Sequence, residues 1–409
     1  MAWLLFTLTA LAVLLPMLPA IIEWRWPSDV APLHIDTEDA LDPPLLARSF
    51  VARLRTAVAE GQKRLGQSLI ALAPAGDVWT FIERERHSGL SLRVWHAVGD
   101  IALPAGMTFL AEVAAGRDLR TAPHEIYRAL SAGQRLHLAA GSTVLRWAHA
   151  AQVDVHNGSM LAGRVSADER ITLWGAASFT LLHAPTVCFG TDPARAAARL
   201  APPLSVPSAG LPKAVRWDSV AGRGTCDVAL SLRAGTAWQG DLVCQTDLTL
   251  GPRCFAGGSL KAHGNLLVGA GCRIAGNLVT EGRIELGAAC AVHGSLVSET
   301  EIVIGAGCVI GRPGALATVA APRIQIGPDA VVHGTVWAGK VGRTLPAGAA
   351  DDGLAALASL PVGDLSSDRS NDPASAPTSD PTSGPTSGDD DADWPEARHE
   401  PKPAQAATA

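Results

Sequence analysis

Charge is scarce in this 409-residue chain: Asp, Glu, Lys and Arg make up 18% of it, below the usual quarter. Aromatic residues are scarcer, at 5%, with a single tyrosine. A net charge of −6 gives no reason to expect nucleic acid as a partner. The cysteines number seven, an odd count, and none form a CxxC pair. The chain is also far longer than the small scaffolds that disulfides hold together. No glycine run is followed by Gly-Lys-Ser/Thr, so none reads as a phosphate loop. What the chain does have is 41 glycines on a 47% apolar background, the composition of a glycine-rich structured body.

Residues Ala2 to Ile22 carry no charge, about the length a bilayer requires. Trp24 and Trp26 stand where interfacial aromatics would lie. No Lys or Arg precedes the run and no clean A-x-A site follows it, which argues against a cleaved leader. The segment 1–26 is therefore expected to be a transmembrane anchor. Arg25, Arg48, Arg53, Arg55, Lys63 and Arg64 all follow it, so a single pass with a cytoplasmic body is expected. A reducing compartment also suits unpaired cysteines.

The stretch 27–94 reads as a linker followed by an amphipathic helix over 44–72, with Asp42 as its cap and Pro43 in its first turn. The helix's polar side is mostly basic, so it either packs on the body with a solvated face or lies on an anionic leaflet. At the other end, 346–409 reads as a short helix at 353–360 and then a disordered tail of Pro-Thr-Ser units and acidic residues.

Between these flanks the chain repeats. Gly240, Gly258, Gly276 and Gly294 fall 18 apart, as do Gly251, Gly269, Gly287 and Gly305 and the cysteines Cys254, Cys272, Cys290 and Cys308. Apolar columns keep step, among them Leu230, Leu248, Leu266, Ile284 and Ile302. The frame loosens after Ile310 and returns at Ile324, Ile326, Val332 and Val336. Short alternating stretches such as "LTL" and "IEL" are strands, with glycine at the corners. An 18-residue period with about three strands is one coil of a β-solenoid, stacked at about 4.8 Å. The fold class expected is thus all-β, a β-helix over 225–345. A weaker rhythm at Ile101, Leu119, Leu136, Val153, Ile171 and Val187 makes 95–190 a block of degenerate coils. The stretch 191–224 is a linker between the two.

The units "GTAWQGDLVCQTDLTLGPRCFAGGSLKAHGNLLVGAGCRIAGNLVTEGRIELGAACAVHGSL" resemble the bactofilin family of polymer-forming bacterial cytoskeletal proteins. The resemblance covers about 225–345. It implies a right-handed β-helix that assembles end to end without nucleotide, often at the bacterial inner membrane as a scaffold for other proteins. The expected partners are accordingly further copies of the chain, the membrane through the N-terminal helix, and protein clients. The chain departs from the family in its length, its large N-terminal half and its apolar N-terminus, so upstream coils or the anchor could cover one end of the rod.

Two alternatives remain: a hexapeptide-repeat acyltransferase-like enzyme and a monomeric membrane-tethered adaptor. For the enzyme, counting by six from Val268 meets Ile274 and then Thr280, and from Leu286 meets Val292 and then Ser298, so the third position is polar each time. Its candidate bases are His263, His293 and His333, which read as surface corner residues without a carboxylate partner. No catalytic, cofactor-binding or metal-binding residue is assigned. The cysteine column reads as a buried position that wants a small side chain, with Thr236 and Ala330 filling it at the ends.

Overall fold

The computed structural model describes residues 2–18, 22, 25, 42–72, 87–190 and 211–345. Of the expected linker 27–42 only Asp42 is among them, and the helix at 353–360 and the tail lie outside them. The described body is an all-β solenoid of the right-handed type, with about 13 turns.

The expected transmembrane anchor is corrected. Helix α1 covers Ala2–Leu14, 13 residues, and one 3-10 turn, Leu15–Met17, follows it. At the α-helical rise α1 spans about 20 Å, against the ~30 Å of a hydrocarbon core. No helix among the described residues is long and apolar enough to cross a membrane. Pro16 is the physical reason. It has no N–H for the helical ladder, and its ring clashes with the carbonyl four residues back.

From Arg223 to Ile310 every coil contributes three short strands, and the chain then closes the block with two longer ones, Ala317–Ile326 and Ala330–Thr344. Leu266–Val268, Arg273–Ile274 and Leu278–Thr280 make one coil, and each pairs in parallel with its counterpart 18 residues on. The column from Leu230 through Leu248, Leu266 and Ile284 to Ile302 is continuous in register and reaches Ile324. These side chains point inward and are at most 6% exposed. Polar side chains tie successive corners together. Asp247 Oδ1 accepts from Asn265 N at 2.6 Å, and Asn265 Oδ1 in turn from Arg283 N at 3.0 Å.

One corner explains two sequence features at once. Gly251, Gly269, Gly287, Gly305 and Gly327 press against the backbone of the preceding coil, and a Cβ on Gly287 would stand 2.6 Å from Ala270 N. Two residues later the chain turns with positive φ. Gly235, Gly271 and Gly307 fill that place in three coils, and Arg253, Ala289 and Asp329 fill it in the others at φ 57–59°. Each cysteine of the column follows such a residue. Its thiol then donates to a corner carbonyl of the coil before, Cys290 Sγ to Gly269 O at 3.2 Å and Cys308 Sγ to Gly287 O at 3.1 Å.

The upstream block begins earlier than the rhythm suggests, because Ser68–Leu72 already pairs in parallel with Val94–Ala97. The helix expected over 44–72 is correspondingly shorter. As α2 it covers Leu45–Ala59, with Pro44 at its cap position and no side-chain cap. Gly61 and Gly66, both at positive φ, take the chain into the strands. Helix α2 lays Ala47, Phe50 and Leu54 against Ala111, Ala129 and Trp147 on the solenoid's outer face. Its apolar side is covered by protein, which removes the reading of a helix on a leaflet. The core of this block is more aromatic, with Phe109 and Tyr127 stacked at 5.6 Å.

The two blocks join directly. The last strand of the first, Ala177–Phe189, pairs antiparallel with the last strand of the second, Ala330–Thr344. Val187 faces Val332 and Leu182 faces Val336, so the inward columns run through the junction into one core. Parallel stacking continues on the other side of that strand, where Val336 faces Val319.

Two substitutions at neighbouring positions should therefore act in opposite directions. Gly287→Ala forces a Cβ into backbone and should lower stability by about 1–3 kcal/mol. Ala289→Gly relieves a left-handed alanine and should raise it by about 0.5–1 kcal/mol, the strain relieved less glycine's extra chain entropy. Urea midpoints of the two full-length variants check both signs.

Candidate functional site

All seven cysteines are buried. The Cys272 thiol is lowered by its contact with Cys254, but Cys290 and burial outweigh this and push it up to about 12. Such a thiol holds its proton at neutral pH and is a poor nucleophile. Among the described residues no three His, Cys, Asp or Glu side chains gather to hold a metal ion.

The three candidate histidines have three different fates. His263 does have a carboxylate partner, Glu281 Oε1 at 2.6 Å from Nδ1, one coil further on. The pair sits in the open, with the two side chains 30% and 51% exposed. His293 lies on an outer corner. His333 is not a surface residue at all, because it is 7% exposed and built into the junction. Thr280 and Ser298, the polar third positions of the hexad count, also point inward, at 2% and 4% exposure. Thr280 Oγ1 donates to Gly264 O, and Ser298 Oγ to Gly282 O at 2.6 Å. The hexad frame therefore faces the core on all three sides, and the polarity of its third position reflects satisfied hydrogen bonds.

One constellation was hidden in the sequence. Ser166 Oγ lies 2.9 Å from His149 Nδ1, and His149 Nε2 lies 3.6 Å from Asp168 Oδ2. The residue types are those of a nucleophile, a base and an orienting acid. Ser166, however, is 2% exposed, and Asp168 is engaged by Arg48 of α2 at 2.8 Å. The group ties α2 to the solenoid face.

The junction continues this polar line. His183 Nδ1 meets Thr335 Oγ1 at 2.8 Å, and His333 Nδ1 lies 3.2 Å from both Thr186 Oγ1 and Pro185 O. The C-terminal edges of both blocks are thus consumed by each other.

The first coil of the second block presents the opposite situation. Leu230–Leu232 and Ala237–Trp238 pair only with the coil below them, and no described strand pairs with their other side. Arg216–Asp218 shields one neighbouring strand as an antiparallel hairpin, and Leu211 and Val215 cover part of the apolar cross-section. The Trp238 side chain is buried, yet its indole Nε1 meets no acceptor among the described residues. This end therefore combines an open ladder, an orphaned donor and exposed Val220 and Val228.

No family model, curated protein or solved structure matches the chain. The bactofilin resemblance rests on the coil pattern of 225–345 alone.

The buried histidines carry a pH dependence. Burial holds His149, His183 and His333 below the ordinary histidine value of 6.5, against the raising effects of Asp168 on His149, of Asp42 on His183 and of the Pro185 carbonyl on His333. Unfolding releases them to take up protons, so this part of the stability is complete above pH 6.5 and is lost as pH falls below it. The melting temperature should drop between about pH 7 and pH 5. His333→Gln should flatten that slope, and an unchanged slope would remove His333 from the account.

Proposed function

We propose that the chain is a structural scaffold, a solenoid that associates with further copies through the free N-terminal coil of its second block, without nucleotide and without catalysis. The observation that carries this reading is the edge at Leu230–Leu232 and Ala237–Trp238, which no described strand pairs, together with the buried Trp238 Nε1, which meets no acceptor among the described residues. A row of free N–H and C=O groups over an apolar cross-section is a template for another strand. The internal junction lends support, because it pairs two coil edges antiparallel and merges their cores. The resemblance to polymer-forming cytoskeletal proteins enters with one restriction. The C-terminal edge is already occupied within the chain, so it is not the growing end.

The acyltransferase-like alternative would have to start from His263–Glu281. That pair is exposed, and no nucleophile among the described residues is hydrogen-bonded to it.

The edge can be blocked without touching the coil. Leu230 donates to Asp247 of the coil below, so the alternation of a strand points the Ser231 N–H outward to the free side. Ser231→Pro removes that outward donor and keeps every ladder bond of the coil. Full-length protein is expected to form higher-order species in sedimentation and electron microscopy, and Ser231→Pro to shift them toward single solenoids. A full-length chain that stays monomeric at its highest soluble concentration would sink the proposal.

A further inference from the structure

The first block has an outer face that the assembly reading does not use. Its outward residues stand in columns, one per coil. Arg120, His137 and Asp154 succeed one another in register. His156 and Trp174 form the adjacent column, with His156 two residues beyond Asp154 on the same side of the sheet. The rings of His137 and His156 are 4.4 Å apart. Trp174 is 40% exposed and donates from Nε1 to Asp154 Oδ1 at 3.4 Å. Three rings thus run diagonally across three coils. Beside them lies a depression of about 240 Å3 lined by Asp118, Arg120, Arg135, His137 and Asp154.

The chemistry of this face narrows what it can take. Two guanidinium groups and two carboxylates balance each other, so neither a polyanion nor a polycation is favoured. The carboxylates in particular repel a phosphate backbone. The side chains of Arg120 and His137 make no hydrogen bond to a protein partner among the described residues, and Asp154 spends one oxygen on Trp174. The face therefore keeps free donors and free acceptors side by side, which suits neighbouring hydroxyls that need both. Burial, and then the neighbouring His156, keep His137 below the ordinary histidine value, so it presents a neutral ring at neutral pH. The neutral His137 ring and the Trp174 indole offer flat apolar surface for stacking. The depression is shallow and open, and the columns repeat at the inter-coil spacing of about 4.8 Å, which suits an extended ligand lying across coils.

We infer that this face, centred on His137, Asp154 and Trp174, binds a neutral oligosaccharide, with pyranose faces stacked on the rings and hydroxyls shared between Arg120 and Asp154. The proposal is independent of self-association.

The test uses the full-length chain and three neutral hexasaccharides, cellohexaose, maltohexaose and chitohexaose, in titration calorimetry. At least one is expected to bind with a Kd below about 1 mM. Trp174→Ala and Asp154→Ala should each weaken that binding tenfold or more, while Trp337→Ala, an exposed tryptophan elsewhere, should leave it unchanged. Melting curves of the variants confirm that they are folded. Absence of binding by all three sugars overturns the inference. So does a sugar that binds equally well to both site variants, or preferential binding of a single-stranded oligonucleotide or heparin.

Discussion

A stacked coil satisfies its backbone only through the coils above and below it, and the rest of this structure follows from that requirement. At about 4.8 Å between coils there is no space for slack. Where the chain turns a corner it presses on the corner beneath, and only glycine fits at Gly269 or Gly287. Where it turns left-handed, the next side chain has to be small and is best able to donate, and cysteine meets both needs. Where a polar residue turns inward, as Ser298 does, a corner carbonyl and an adjacent backbone group receive it. The requirement also creates the central problem of the fold, because a ladder has two ends, and each must be paired, covered or left open.

The second block could be read from the sequence almost residue by residue because its period never slips between Leu230 and Ile310. Identical spacing of glycine, cysteine and aliphatic columns leaves one register. The upstream column from Ile101 to Val187 was legible for the same reason, although its aromatic core and longer strands blurred the rhythm. Other features leave no periodic trace. The pairing of Val187 with Val332 joins residues far apart in opposite directions. Ser166, His149 and Asp168 meet only because coils of 17 and 18 residues bring them level. The apolar count that suggested a membrane span measured composition, whereas Pro16 decided where the helix stopped.

The histidines show how far residue type can mislead when depth is unknown. His293 and His333 share a column, yet one faces outward and the other is enclosed by a strand from the first block. Sequence spacing placed both correctly along the coil but could not show that the neighbouring coil would come from the other block.

The antiparallel junction also imposes a schedule on synthesis. The strand Ala177–Phe189 leaves the ribosome with its outer edge unpaired, and the strand that covers it, Ala330–Thr344, follows some 150 residues later. At ordinary elongation rates that interval is roughly 8–30 s. For that time the first block is a nascent rod with an apolar, strand-accepting end. Its cover is the last strand that the second block builds, so the chain closes its core only when the whole solenoid has been made.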